Sequence, residues 1–246
     1  GQRQMCIRDR DYGKRAMKLD NNDKLIQVLL VGNEKDIILS TSKGKCVRFS
    51  TDDVRVFSGR TSMGVRGIKL QKNDRIISSS ILNSIEINTD EREEYIKYSN
   101  SLRRNDKKST DINKERLEIL SSKEEFLLSV TENGFGKRSS SFEYRKTKRG
   151  GQGIINIETS ERNGGVVASF QVENEEEVIM VTNRGKLIRL PVKGIRIAGR
   201  VTQGVTLLNT EQSEKVVSVT KVKKNEVFWV QISLQKEVIR MQSKSK

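Results

Sequence analysis

Apolar residues fall along the chain in short runs of strand length, separated by polar turns. KDIILST (35–41), EFLLSVT (125–131) and EVIMVTN (177–183) each lead into a glycine turn, and KCVRFS (45–50) or KLIRLP (186–191) follows. Such runs, four to eight residues between turn signals, predict strands rather than helices. The dipeptides Asn133-Gly134 and Asn163-Gly164 predict hairpin turns. Pro191 is the single proline, as expected of strands paired on both sides.

The runs repeat. TSKGKCVRFSTDDVRVFSGRTSMGV from Thr41, TENGFGKRSSSFEYRKTKRGGQGI from Thr131 and TNRGKLIRLPVKGIRIAGRVTQGV from Thr182 align. Their turn glycines are Gly44, Gly134 and Gly185, and a second glycine closes each unit at Gly64, Gly153 and Gly204. Units two and three are 51 residues apart, but units one and two are 90 apart, so about 39 residues are inserted. RAMKLDNNDKLI from Arg15 matches RGIKLQKNDRII from Arg66, again 51 residues on, as the tail of a further unit. The prediction is an all-β array of propeller-like blades of about 51 residues, three blades plus the end of another over 13–222. No Trp-Asp dipeptide and no kelch-type pattern is present.

The insert, about 84–121, has helical rather than strand character. Tyr95, Tyr98 and Leu102 recur at helical spacing, Asp90 and Glu93 suggest a capping box, and NKERLEIL suggests a second short helix. It reads either as a surface excursion from a blade or as a contact element for DNA or another subunit.

Charge narrows the field of partners. Forty-seven basic residues against 32 acidic ones give a net charge of +15, a field suited to a polyanion. No long apolar span marks a membrane segment. The absence of histidine and the presence of only Cys6 and Cys46 exclude His-based catalysis, a disulfide framework and a zinc site. The glycine-rich stretch KTKRGGQGIINI (146–157) fits neither the P-loop nor the dinucleotide spacing. The residues QMCIRDR (4–10) back-translate to a transposon-end adapter, so 1–12 are read as adapter-derived; 223–246 is a tail of open origin, with Trp229 in a closing strand or out of frame.

Three arginines recur in each unit: Arg48, Arg138 and Arg189; Arg55, Arg145 and Arg196; Arg60, Arg149 and Arg200. With Arg66, Lys137, Lys148 and Lys186 they form the candidate set for phosphate contact, each unit placing its cations at an equivalent point of a rim. Gly150, Gly151 and Gly153 join that set because successive amides in a tight glycine bend can form an anion nest, or they simply let the chain cross between blades.

The strings GRTSMGVRGIKL (59–70), VTENGFGKRSSSFEYR (130–145), KRGGQGIINIETSERNGGVV (148–167) and GRVTQGV (199–205) resemble the C-terminal domain of the bacterial DNA gyrase A protein; its topoisomerase IV counterpart is the alternative. The resemblance runs over about Gly13 to Val222. It implies a β-pinwheel, in which neighbouring blades exchange strands, and a basic edge that binds and wraps duplex DNA without reading its sequence. It further implies ATP-dependent negative supercoiling by a cytoplasmic, nucleoid-associated holoenzyme built with the remainder of gyrase A and with gyrase B. No catalytic residue, metal or cofactor is expected in this chain, since ATP and Mg would be handled elsewhere in that assembly. The family's wrapping heptad (Gln, two basic residues, two glycines, a basic residue, glycine) has only a degenerate relative here, TKRGGQG at 147–153, with Thr147 and Gln152 departing from it. A propeller-type protein-interaction scaffold is the reading from another class.

Overall fold

The computed structural model describes residues 15–106 and 109–223. The readings of residues 1–12 and, beyond Lys223, of the C-terminal tail lie outside them.

Burial alternates along the first strand, β1 (Lys35–Thr41), where Asp36, Ile38 and Ser40 point inward. Its hairpin partner β2 (Lys45–Ser50) is buried on both faces from Cys46 to Phe49. The third strand, β3 (Ile76–Asn83), adds on the other side of β1. The same plan recurs in β4 (Phe126–Thr131), β5 (Phe135–Ser140) and β7 (Val166–Val172), and in β8 (Glu177–Thr182), β9 (Leu187–Pro191) and β11 (Val216–Val222). Each middle hairpin turns at a positive-φ glycine, Gly44, Gly134 or Gly185.

Two blades are completed by a neighbour. The two-residue strand β6 (Ile154–Ile155) leaves unit two and pairs with β2 of the first sheet, giving the order β3-β1-β2-β6. Likewise β10 (Val205–Thr206) leaves unit three and pairs with β5, giving β10-β5-β4-β7. This is the strand exchange of a pinwheel. Close approach dictates the glycines that admit these straps: a Cβ on Gly153 (φ +72°) would overlap the Cys46 carbonyl oxygen. One on Gly204 (φ +81°) would lie 2.7 Å from that of Gly136. Asn163-Gly164 proves not to be a hairpin turn. Gly164 N–H closes on Ser160 and leads the strap into β7, which pairs with β4 rather than with β6.

The cores lie at the seams between blades. Ile38, Cys46 and Leu82 of blade one meet Leu127 and Tyr144 of blade two. Leu128, Val130 and Val172 meet Val178, Met180 and Val216 of blade three. Burying each such side chain contributes about 1.5–3 kcal/mol, so the seams, not the single sheets, hold the array together. A polar lock reinforces the first seam: Tyr144 Oη donates to Asn156 Oδ1 at 2.7 Å, and Asn156 Nδ2 donates to Ser169 Oγ at 3.0 Å.

Between β3 and β4 run α1 (Thr89–Arg103) and α2 (Lys114–Lys123). The cap of α1 is Asn88, whose Oδ1 accepts from Glu91 N at 2.8 Å, rather than the Asp90 expected from the sequence. The asparagine oxygen reaches the first-turn amide from one residue outside the helix, and Asp90 lies within the first turn. The pair docks through Tyr95 and Leu120 onto Phe142 in the turn after β5, the Tyr95 and Phe142 rings meeting edge to face at 5.0 Å.

Candidate nucleic-acid interface

After β2, β5 and β9 the chain makes a single 3-10 turn (Thr51–Asp53, Ser141–Glu143 and Val192–Gly194). In units two and three it then runs as a strap across the preceding blade. The second strap is pinned by Thr147 N–H to the Arg48 carbonyl (2.8 Å), the third by Ala198 N–H to the Arg138 carbonyl (2.8 Å). The three arginines of each unit therefore occupy three different environments.

The first set turns inward. Arg48 is 5% exposed; Nε donates to Asp36 Oδ2 at 2.8 Å, and Nη1 reaches the Ser141 carbonyl of unit two at 2.8 Å. Arg138, also 5% exposed, donates from Nε to the Ile195 carbonyl at 2.8 Å and from Nη1 to Asn174 Oδ1 at 2.6 Å. Each is a clasp holding the next unit's turn, and neither presents its charge to solvent. Both leave the candidate set. Arg189, the third member, is exposed and ion-paired with Glu177.

Lys137 is a further correction. It is fully buried, and Nζ donates to the carbonyls of Gly199 and Arg200, both at 2.6 Å, holding the third strap from beneath. Burial pushes its ammonium down to about 7, with Glu143 acting in the opposite sense.

The second set points outward: Arg55, Arg145 and Arg196 are all exposed, just beyond the successive 3-10 turns. Arg60 and Arg66 are exposed on the segment of unit one that corresponds to a strap, and Lys148 is exposed on the second strap. Arg149 is exposed but braced, its Nε donating to the Asp53 carbonyl at 2.9 Å. Arg200 is half-buried and donates to the Ile155 carbonyl at 3.1 Å. Lys186 is exposed, 3.8 Å from a Glu214 carboxylate oxygen.

The glycine nest fares worse. Gly150 N–H is spent on the Gly67 carbonyl at 2.5 Å, so that amide does not face a phosphate. Gly153 is explained by its approach to Cys46. Gly151 is exposed, with open space around its Cα, and its carbonyl accepts from Lys69 N–H at 2.8 Å.

The sequence pattern did not reveal the insert's share of this surface. Two clefts flank the straps at repeat-equivalent places. One, about 770 Å³, lies beside Arg145 and Lys146 and mixes both signs of charge, with Asp36, Glu86 and Glu91 among its walls. The other, about 530 Å³, lies beside Arg196 and is walled by Arg103 and Arg104 of the insert and by Lys193. The adjacent pair Arg103-Arg104 at the end of a helical pattern is the sequence signal that was passed over.

A family model described as DNA gyrase C-terminal domain, beta-propeller, matches residues 13–31, 35–83, 125–173 and 176–223. The chain belongs to this family. The matched segments follow the repeat, and the gap at 84–124 holds α1 and α2. The DNA gyrase A protein of Rickettsia bellii is 42% identical over 85% of the chain, and that of Granulibacter bethesdensis 42% over 88%. The chain spans about a quarter of each, 24% and 26%. Among solved structures, a DNA gyrase A C-terminal domain matches with TM-score 0.62 and 24% identity, covering 85% of this chain and 58% of that one. A topoisomerase IV C-terminal domain matches with TM-score 0.65 and 20% identity, covering 85% and 53%. Both likenesses speak to the fold. Among the described residues, no helix is long and apolar enough to cross a membrane and no cluster of His, Cys, Asp and Glu suits a metal ion.

Proposed function

We propose that this gyrase A C-terminal domain binds duplex DNA along its straps, without sequence preference, and bends the duplex around the blades. The observation carrying this reading is the recurrence of cations along the straps: exposed Arg55, Arg145 and Arg196 at one equivalent position, exposed Arg60 and Arg149 with half-buried Arg200 at another, joined by exposed Arg66 and Lys148. Spaced in this way on a chain of net charge +15, they suit a polymer with regularly spaced phosphates. Contacts of this class position a duplex and carry no sequence code. The bend costs on the order of several kcal/mol, offset by the added phosphate contacts.

Within a complete gyrase the domain would hand wrapped DNA to the strand-passage machinery of gyrase A, giving ATP-driven supercoiling its negative direction. ATP and Mg chemistry belongs to the other parts of that assembly, gyrase B included. The relatives in Rickettsia bellii and Granulibacter bethesdensis are gyrase A proteins, which favours gyrase over topoisomerase IV.

The test is duplex affinity over a salt series on two unrelated sequences. Log affinity should fall linearly with log salt, by about 0.9 per phosphate neutralised, and equally for both duplexes. Affinity independent of salt would refute phosphate contact. Ligation of a nicked plasmid in the presence of the chain should then shift its linking number at low salt only. Binding without a shift would leave binding in place and remove wrapping.

A further inference from the structure

The repeat places an acidic residue before the first arginine of each unit, except one. Asp36 faces Arg48 in the first blade and Glu177 faces Arg189 in the third, but the equivalent residue in the second is Phe126. Arg138 is thus a buried cation whose hydrogen-bond partners are all neutral: two backbone carbonyls and the Asn174 amide. Its guanidinium lies 5.7 Å from the Phe126 ring centroid, and that of Arg103 lies 5.4 Å from the same centroid. A burial cost that a carboxylate offsets elsewhere is left standing here.

The 530 Å³ cleft opens beside this cation. Its walls carry Arg103, Arg104, Arg138, Lys193 and Arg196, together with Asn100, and no carboxylate. Two acids stand close to the walls without lining the cleft: Glu124 forms a two-pronged pair with Arg103, and Glu143 Oε1 would lie 3.6 Å from a Cβ placed on Gly199. Arg104, Lys193 and Arg196 are exposed and have no acidic partner among the described residues. At the end of α1 the Ser101 and Leu102 carbonyls are taken up by Arg104, Asn105 and Asp106 N–H groups. The repeat-equivalent cleft, with three carboxylates in its walls, lacks this one-sign character.

We propose that the cleft between the end of α1 and the third strap binds a backbone phosphate of duplex DNA, so that the insert extends the DNA path beyond the blades. Arg104, Lys193 and Arg196 contact the phosphate, and Arg138 supplies an uncompensated charge behind them. The proposal rests on DNA binding by the straps.

The experiment compares the unaltered 246-residue chain with Arg104→Ala/Lys193→Ala and with Lys97→Ala/Lys123→Ala, which removes the same charge from elsewhere on the insert. Both variants alter exposed residues, and far-UV circular dichroism checks their folding. On one duplex over a salt series, the cleft variant should show a slope shallower by about 0.9 for each phosphate it no longer neutralises, while the control keeps the slope of the unaltered chain. Equal slopes in the two variants, on a chain that does bind, overturn the cleft alone. An unaltered chain with no salt-dependent binding overturns the strap reading and the cleft with it. Thermal stabilisation by inorganic phosphate that the cleft variant loses, with the DNA slopes equal, would assign a free-anion site and also overturn the proposal.

Discussion

The ring of Phe126 stands before Arg138 in the second blade where the carboxylate of Asp36 stands before Arg48 in the first. Both arginines donate to carbonyls around the next unit's turn, yet only one is neutralised. This difference sorts the ion pairs of the array by burial.

Asp36→Ala leaves Arg48 buried without its counter-charge and should cost about 3–5 kcal/mol. Glu177→Ala removes a partner from Arg189, which is exposed, and should cost under about 1 kcal/mol. Urea denaturation of the two variants measures the contrast. Equal losses would mean that the buried clasp contributes no more than a surface pair.

Gly153 and Gly151 lie two residues apart on one strap and should respond unequally to alanine. At Gly153 the positive φ alone costs roughly 1–2 kcal/mol, and the Cys46 carbonyl blocks the new methyl. At Gly151 nothing lies within 4 Å, so Gly151→Ala should stay within about 0.5 kcal/mol of the original in a thermal melt. A destabilising Gly151→Ala would point to a backbone constraint at that position.

Lys137 gives a pH signature of definite sign. With its native pKa lowered to about 7, the folded chain releases a proton there that the unfolded chain keeps up to about pH 10. Stability therefore rises as pH falls only in a chain with a raised pKa; here it runs the other way, falling as pH drops, because the unfolded state binds the extra proton. Lys137→Met lacks this dependence and also takes the donor away from the Arg200 carbonyl. The stability gap between the original chain and the variant should widen from pH 7 toward pH 9, by at most ~1.4 kcal/mol per pH unit if the deprotonated amine is the folded form. A gap constant with pH would show that the ammonium stays charged in the fold.

Cys46 reports on the first strap. It is fully buried beneath β6, and burial pushes its thiol up to about 12. In a Cys6→Ser background it should resist an alkylating reagent under native conditions and react promptly in urea. Gly153→Ala should speed native labelling by loosening the strap. Fast labelling of the otherwise unaltered chain would contradict the closed β2–β6 edge.

The repeat register disclosed the blades, because turn glycines and strand runs recur wherever the chain must do the same thing. That logic also misled. Arg48 and Arg138 recur because every seam needs a clasp, and recurrence alone does not tell a clasp from a ligand contact. Nor does strand parity, since β2 and β5 are covered on both faces, so an arginine or Lys137 within them has no solvent side to alternate towards. The insert's helices were legible from Tyr95, Tyr98 and Leu102, but their docking was not, because it depends on Phe142 some forty residues later in the chain. Lys193 escaped notice for a related reason: it occupies the place of Phe142 one repeat on and so recurs nowhere.

Strand exchange also sets a timetable for synthesis. The β2 edge of the first blade stays open until Ile155 leaves the ribosome, 72 residues after Asn83 ends the blade's own strands. At about 5–20 residues per second that wait is roughly 4–14 s, and the insert accounts for over half of it. During it, an unpaired edge bearing Lys45 and Cys46 is a template for the wrong strand. Translation speed across the insert thus becomes a determinant of how much chain reaches the native pairing.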